Sequence, residues 1–359
     1  MRVTTRKAAF AGLTTVALVS LLAGCGAAPE ASDSPNGTAN SDFLSCVVSD
    51  SGGFDDKSFN QSALEGMVEA AATLGSEYKQ VESKTDTDYA PNIDNMIDQG
   101  CGLIVTIGYL LAAATEEAAA ANPDVNFAII DDNSIDLPNV KHLVYNTAEA
   151  AFLAGYAAAS YSTTKIVGVY GGLPIPPVTI FLDGFVQGVE YYNEQKGESV
   201  EVKGWDVEAQ NGSFIGGFAA GTESKQAAQT LIDAGADVLL PAGGPIFLSA
   251  AEAIRDSSKP IALIGVDADL FLTNPENSDL FLTSIMKGIA PGVTEITVAA
   301  GGGEFDGAPY VGTLENNGVG IAPFHDFESK ISPDLEAELD AIKADIISGA
   351  ITVESPSSP

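Results

Sequence analysis

The chain is poor in positive charge. Its 359 residues hold 16 Lys and Arg against 49 Asp and Glu, a formal net charge of −33, and three of the basic residues, Arg2, Arg6 and Lys7, fall in the first seven positions. Contact with a nucleic-acid backbone requires Lys and Arg to displace condensed counterions, so this balance excludes a nucleic-acid partner and disfavours a polyanionic ligand. Adaptation of the surface to solubility or to salt accounts for the charge itself. Histidine is almost missing: His142 and His325 lie in segments without a catalytic pattern. There is no G-x-S-x-G, H-E-x-x-H or C-x-x-C, which removes common signatures of nucleophilic, zinc-hydrolytic and redox chemistry. The chain therefore reads as a non-enzyme that needs no cofactor and no metal. Cysteine is scarce too. Cys46 and Cys101 are either a disulfide, permitted outside the cytoplasm, or two buried free thiols.

What is present begins with a targeting pattern. The basic residues precede an uncharged run over 8–23, too short to cross a bilayer as a mature helix. The run closes on Leu22-Ala23-Gly24-Cys25. This resembles a bacterial lipobox, in which Cys25 becomes a lipidated N-terminus that anchors the protein on the extracytoplasmic face of the cell membrane. Residues 25–41, rich in Ala, Ser, Pro, Gly and Asn, read as a flexible tether after a signal peptide over 1–24. The folded part starts near Asp42 and is too long for one core.

From there, short apolar runs alternate with helical stretches. Strands are expected at Phe43–Val48, 78–83, 102–107 and 126–130, with helices near 62–74, 91–99 and 111–121. The pattern then repeats: a helix over 149–160 and strands at 166–170, 200–203, 238–240 and 261–264 with helices between them. Late strands follow at 280–285 and 311–314, and a last helix at 333–348. Apolar runs without polar alternation suit parallel strands covered on both faces, and strand–helix alternation predicts doubly wound α/β lobes. The expected division is an N-terminal lobe over 42–146 joined by about 270–308, and a C-terminal lobe over 147–269 joined by about 309–359.

Ligands of such sheets sit beyond the carboxyl ends of strands. The first strand ends in Ser49-Asp50-Ser51-Gly52-Gly53-Phe54-Asp55-Asp56-Lys57-Ser58-Phe59-Asn60. Asp56 and Ser58 are accounted for as caps of the next helix. Asp50, Phe59 and Asn60 are not: Asn offers a donor and an acceptor to a base edge, and Phe a stacking face.

This segment closely resembles the signature of the basic membrane protein family, the purine nucleoside receptor lipoproteins of bacterial ABC transporters. Further segments agree in order, among them Ile129-Ile130-Asp131-Asp132, the glycine–proline stretch from Gly171 to Pro177, Gly212-Ser213-Phe214, Gly235-Ala236-Asp237, Gly265-Val266-Asp267-Ala268-Asp269, Thr283-Ser284-Ile285-Met286-Lys287 and Leu314-Glu315-Asn316-Asn317-Gly318. The resemblance implies a two-lobed periplasmic-binding-protein fold of the first type that crosses between lobes more than once. It implies a nucleoside as ligand, a permease of an ABC transporter as partner, and a monomer. It makes Asp50, Asn60 and Asp131 base-facing, Phe59 one stacking ring and Phe214 the opposing one. Asp267 and Lys287 become ribose partners, with Gly243 giving backbone access. After Phe214, Ile215-Gly216-Gly217 depart from the family's Asp-containing continuation.

Plainer readings stand beside these. Asp267 and Asp269 could pair on a metal, but no third ligand is near; Phe59 and Phe214 could be core; Asp131 and Asp132 could cap a loop. A sugar or autoinducer receptor on the same fold, or a surface nucleoside hydrolase, are the alternative functions.

Overall fold

Four- to six-residue runs such as Leu103–Ile107 bury every side chain, which is possible only where helices cover both faces of a sheet. The computed structural model describes residues 42–359. The proposed signal peptide, the tether and Cys25 lie outside the described residues.

The first lobe contains β1 (Ser45–Val48), α1 (Phe59–Leu74), β2 (Tyr78–Val81), α2 (Tyr89–Asp98), β3 (Leu103–Ile107), α3 (Ala112–Ala121), β4 (Asn126–Ile130) and β5 (Val140–Tyr145). The second contains α4 (Thr147–Tyr161), β6 (Ile166–Gly171), α5 (Pro176–Lys196), β7 (Glu201–Lys203), a hairpin of β8 (Trp205–Asp206) and β9 (Asn211–Gly212), α6 (Thr222–Asp233), β10 (Val238–Ala242), α7 (Phe247–Ser257), β11 (Ala262–Asp267), the one-turn α8 (Leu270–Thr273) and β12 (Phe281–Lys287). Then α9 (Ile289–Gly301) and β13 (Tyr310–Gly312) return to the first lobe, and β14 (Val319–Ile321) and α10 (Leu335–Ser348) to the second. The sheet orders are β13-β5-β4-β3-β1-β2 and β14-β12-β11-β10-β6-β7. Within these two sheets pairing is parallel except where β14 runs against β12. The doubly wound α/β lobes expected from the sequence are thus present.

Two strands sit in the opposite lobe from the expected division. Residues 281–287 pair with β11, because α8 and the short turn after it are just long enough to bring the chain back beside that strand. Residues 310–312 pair with β5 and close the first sheet.

Among the described residues the chain therefore crosses between lobes three times, at 145–147, 287–289 and 312–319. The crossings are bonded to one another: Asn146 N donates to Gly312 O at 2.8 Å, Gly288 N to Gly318 O at 2.7 Å, and the Tyr145 hydroxyl to Gly288 O at 3.2 Å.

One apolar cluster runs behind both sheets under α1, α9, α4 and α5, and separate clusters fill the space under α2–α3 and α6–α7. In the second lobe α4 and α5 pack with almost no gap. A side chain at Gly155 would stand 2.0 Å from Phe185 O, and one at Gly188 2.0 Å from Phe152 O, so these positions admit hydrogen alone. In the first lobe Cys46 of β1 and Cys101, just before β3, form a disulfide with Cα atoms 5.9 Å apart.

Candidate functional site

The strands of both sheets point their carboxyl ends at one cavity. It spans about 550 Å³ of space, part of it open to solvent. Seven of the eight residues singled out from the sequence line it: Asp50, Phe59, Asn60 and Asp131 from the first lobe, Gly243, Asp267 and Lys287 from the second.

The wall from the first lobe is built around a bonded carboxylate–amide pair. Asp56 accepts the main-chain N–H groups of Ser58, Asn60 and Gln61, capping α1. This holds Asn60 so that its Nδ2 donates to Asp50 Oδ1 at 2.9 Å and to Asp56 Oδ2 at 3.1 Å. With the amide nitrogen committed, Asn60 Oδ1 is an acceptor, buried and without a hydrogen-bond partner. Burial pushes the Asp50 carboxyl up to about 6, opposed by the Gly52 N–H and the Asn60 amide.

The two lobes meet at Lys287. Its ammonium lies 2.6 Å from Asp131 Oδ2 across the cleft and 3.5 Å from Asp267 Oδ1 on its own side. It also lies over the rings of Phe59 and Phe181, 5.3 Å and 4.9 Å from their centroids. Burial pulls the Lys287 ammonium down, but the two carboxylates together outweigh it and hold it above its ordinary value. One cation between two anions leaves charge over. Burial raises the Asp267 carboxyl, and Asp267 Oδ1 accepts no hydrogen bond. Asp131 (φ 64°) and Asp267 (φ 68°) both hold the left-handed backbone at the ends of their strands. Such strain persists where the surroundings impose it, often at functional sites. Gly108 (φ 107°) and Gly243 (φ 145°) occupy matching positions after β3 and β10, where a side chain would meet Asp50 and Phe59 in one lobe and Phe218 in the other.

Phe214 is not in the cavity. It bridges to Gly171 at the sheet edge and packs edge-on against Trp205, with centroids 5.8 Å apart. The second lobe's half-buried aromatic ring in the cavity is Phe218, four residues on, lying against Gly172 and Gly243. The unusual Gly216-Gly217 pair is what lets the chain turn back there, Gly216 with φ 85°. Ile175, Pro177, Val178 and Phe181 complete the apolar side. Nothing in their sequence pattern distinguished them from core, although the double proline that opens α5 marks the turn they lie on.

The closed cleft is tied at its rim. Ser58 Oγ donates to Val266 O at 2.8 Å and is 3.1 Å from Asp267 Oδ2, while Thr273 Oγ1 donates to Lys57 O at 2.7 Å. The arrangement can therefore enclose a flat, neutral, donor-rich molecule; four lining carboxylates against one ammonium repel an anionic one. Asp267 and Asp269 do not form a metal pair: Asp269 caps α8 and bonds His325 at 2.8 Å. Among the described residues no group of three His, Cys, Asp or Glu is placed to hold a metal ion.

Over residues 43–356 the chain matches the family described as ABC transporter substrate-binding protein PnrA-like. It is 30% identical over 357 residues to the ABC transporter nucleoside-binding protein BmpA of Lactococcus lactis subsp. cremoris, covering 95% of this chain and 96% of that one. It is 29% identical to a CD4+ T-cell-stimulating antigen of Listeria innocua serovar 6a, covering 93% and 94%. In fold it resembles an ABC transporter solute-binding protein from Aeropyrum pernix K1, with a TM-score of 0.78 at 24% identity over 88% of this chain and 94% of that one.

Proposed function

We propose that this chain, which belongs to the PnrA-like family of ABC transporter substrate-binding proteins, captures a neutral nucleoside between its lobes and delivers it to a membrane permease. A purine nucleoside is the favoured ligand, and the chain performs no chemistry on it. One observation carries the reading: two buried acceptors without hydrogen-bond partners, Asn60 Oδ1 and Asp267 Oδ1, lie on opposite lobes of a cavity that also receives an aromatic ring from each lobe. Asn60, with Asp50, suits the N–H donors of a base. Asp267, beside Lys287 and Gly243, suits the vicinal hydroxyls of a ribose. Phe59 and Phe218 suit the faces of the base.

The magnitudes are adequate. Stacking contributes about 1–3 kcal/mol per base by analogy with single-strand binders. Each hydrogen bond to a charged group adds roughly 1.5–3 kcal/mol. Micromolar binding needs about −8 kcal/mol after the entropic costs of association.

Calorimetry with guanosine, inosine, uridine, ribose and a 2′,3′-dideoxy nucleoside tests the reading. The ribonucleosides should bind, and ribose and the dideoxy analogue should bind poorly. Asp267→Ala should weaken the ribonucleosides by about 2–4 kcal/mol and the dideoxy analogue by little. Tight binding of ribose alone would favour a sugar receptor instead, and release of free hypoxanthine from inosine a hydrolase. Attachment through a lipidated Cys25 on the outer face of the membrane is part of the proposal. Acyl labelling that persists in Cys25→Ser would remove it.

A further inference from the structure

Past α10 the chain does not run out into solvent. Along 351–358 the side chains alternate: Ile351, Val353, Ser355 and Ser357 are half-buried, while Thr352, Glu354, Pro356 and Ser358 are exposed. Ile351 and Val353 pack against the core. The segment then climbs α5 backwards in steps of four residues. Gln187 bonds both main-chain groups of Glu354, at 2.6 and 3.0 Å; Ser355 Oγ donates to Asp183 Oδ2 at 2.6 Å; Ser357 Oγ and Thr179 Oγ1 are 2.8 Å apart. Positions 187, 183 and 179 share one helix face. Ser358 Oγ then donates to Asn146 Oδ1 at 3.1 Å, and Asn146 is the middle residue of the first crossing.

Where the segment arrives matters for the ligand cavity. Ser357 and Pro359 wall a second cavity of about 430 Å³ on the hinge side. Tyr109, Asp131, Pro177 and Lys287 line both spaces, so this is a rear approach to the Asp131–Lys287 pair. The anchor is shared with the front. Asp183 is fully buried, and its other oxygen accepts Trp205 Nε1 at 2.8 Å and Gln210 Nε2 at 2.9 Å. Trp205 packs on Phe214, in the loop that carries Phe218. One carboxylate thus fixes both the tail segment and the base of the loop over the cleft.

We propose that residues 354–358 are a strap that, seated on α5 and on Asn146, closes the hinge side of the cleft and slows the ligand's escape. The proposal rests on the reading that the main cavity holds a nucleoside. Hinge opening requires a few crossing residues to change φ and ψ, and the bond from Ser358 to Asn146 ties one of them to the strap.

The test uses the full chain, its Ser355→Ala/Ser357→Ala double variant and Ser358→Ala, with guanosine as probe. The dissociation rate is followed through Trp205, the one tryptophan of the sequence. The double variant should release guanosine roughly three- to tenfold faster, the effect of losing one or two modest hydrogen bonds, with the association rate nearly unchanged. Without ligand, both variants should exchange the amides of 145–147 faster than the parent. Unchanged dissociation and unchanged exchange overturn the strap. If the parent binds no guanosine, the nucleoside reading falls, and exchange alone decides: equal rates in parent and variants overturn the strap, faster rates in the variants support it.

Discussion

The two lobes are built to one plan and furnished differently. Strand for strand the sheets correspond, β1 with β6, β3 with β10, β4 with β11 and β5 with β12. Equivalent strand ends carry equivalent backbone: Gly108 with Gly243 and Asp131 with Asp267. Upon this common frame the first lobe places the bonded pair of Asp50 and Asn60, and the second places an ammonium and most of the apolar wall. The reinforcement differs as well. A disulfide ties β1 to the start of β3 in the first lobe, whereas the second relies on helices in near contact at Gly155 and Gly188. The fold thus settles where ligand-facing atoms sit, and side-chain choice at equivalent places settles which end of a ligand each lobe can take.

The comparison breaks most readily at Lys287, where the contributions of the lobes meet. Lys287→Met leaves Asp131 and Asp267 buried without a counter-charge, and should lower unfolding free energy by about 3–5 kcal/mol. Urea denaturation measures it. A loss under about 1 kcal/mol would mean that this charge does not join the lobes. The next effect is confined to one lobe. Replacing Cys46 and Cys101 by alanine should cost roughly 2–4 kcal/mol. Hydrogen exchange should show β1 and β3 losing protection while β6 and β10 keep theirs; equal loss in both would show that the lobes unfold as one.

The smallest effect sharpens the chemical contrast. Asp50, raised by burial to about 6, is ionised at neutral pH and accepts a ligand N–H; a bound proton removes that acceptor. Nucleoside affinity should therefore be full above about pH 6 and fall by up to tenfold per unit below it. Stability of the ligand-free protein runs the other way. The folded state binds the proton more tightly than the unfolded chain, whose Asp lies near the ordinary 3.8, so stability declines as pH rises from about 4 to about 6. Calorimetry and melting at both ends of that window check the two slopes, and Asp50→Asn should lessen both.

Much of this frame was legible in the sequence, for physical reasons that also explain the gaps. Strands β1, β3, β4 and β6 are dominated by apolar residues and declare themselves. Strand β5 does not, because Lys141 and His142 interrupt Val140–Tyr145. Neither does α9, whose Pro291 and Gly292 read as a break although they lie within its first turns. Asp50, Asp131 and Asp267 follow or end apolar strands, where a polar residue has no packing reason to be, and Asn60 stands beside an aromatic at the start of α1; the family resemblance assigned their roles. Phe214 was misplaced because a loop's path, unlike a strand's, is set by its glycines and not by periodicity. Cys46 and Cys101 could not be paired from spacing alone, since a bond depends on distance in the folded sheet.

The three crossings have a consequence for how the chain can be made. Neither lobe is a contiguous stretch: the first lacks α9 and β13 until residues 289–312 have been synthesised, and the second lacks β14 until 319–321. A nascent chain cut off at Tyr145 would expose the face of α1 that α9 covers and leave β5 as a raw edge. No single break point separates the molecule into two self-sufficient halves. Neither sheet can be completed until nearly the whole polypeptide has been made, and contacts as distant in sequence as Tyr145 with Gly288 slow the search for the fold.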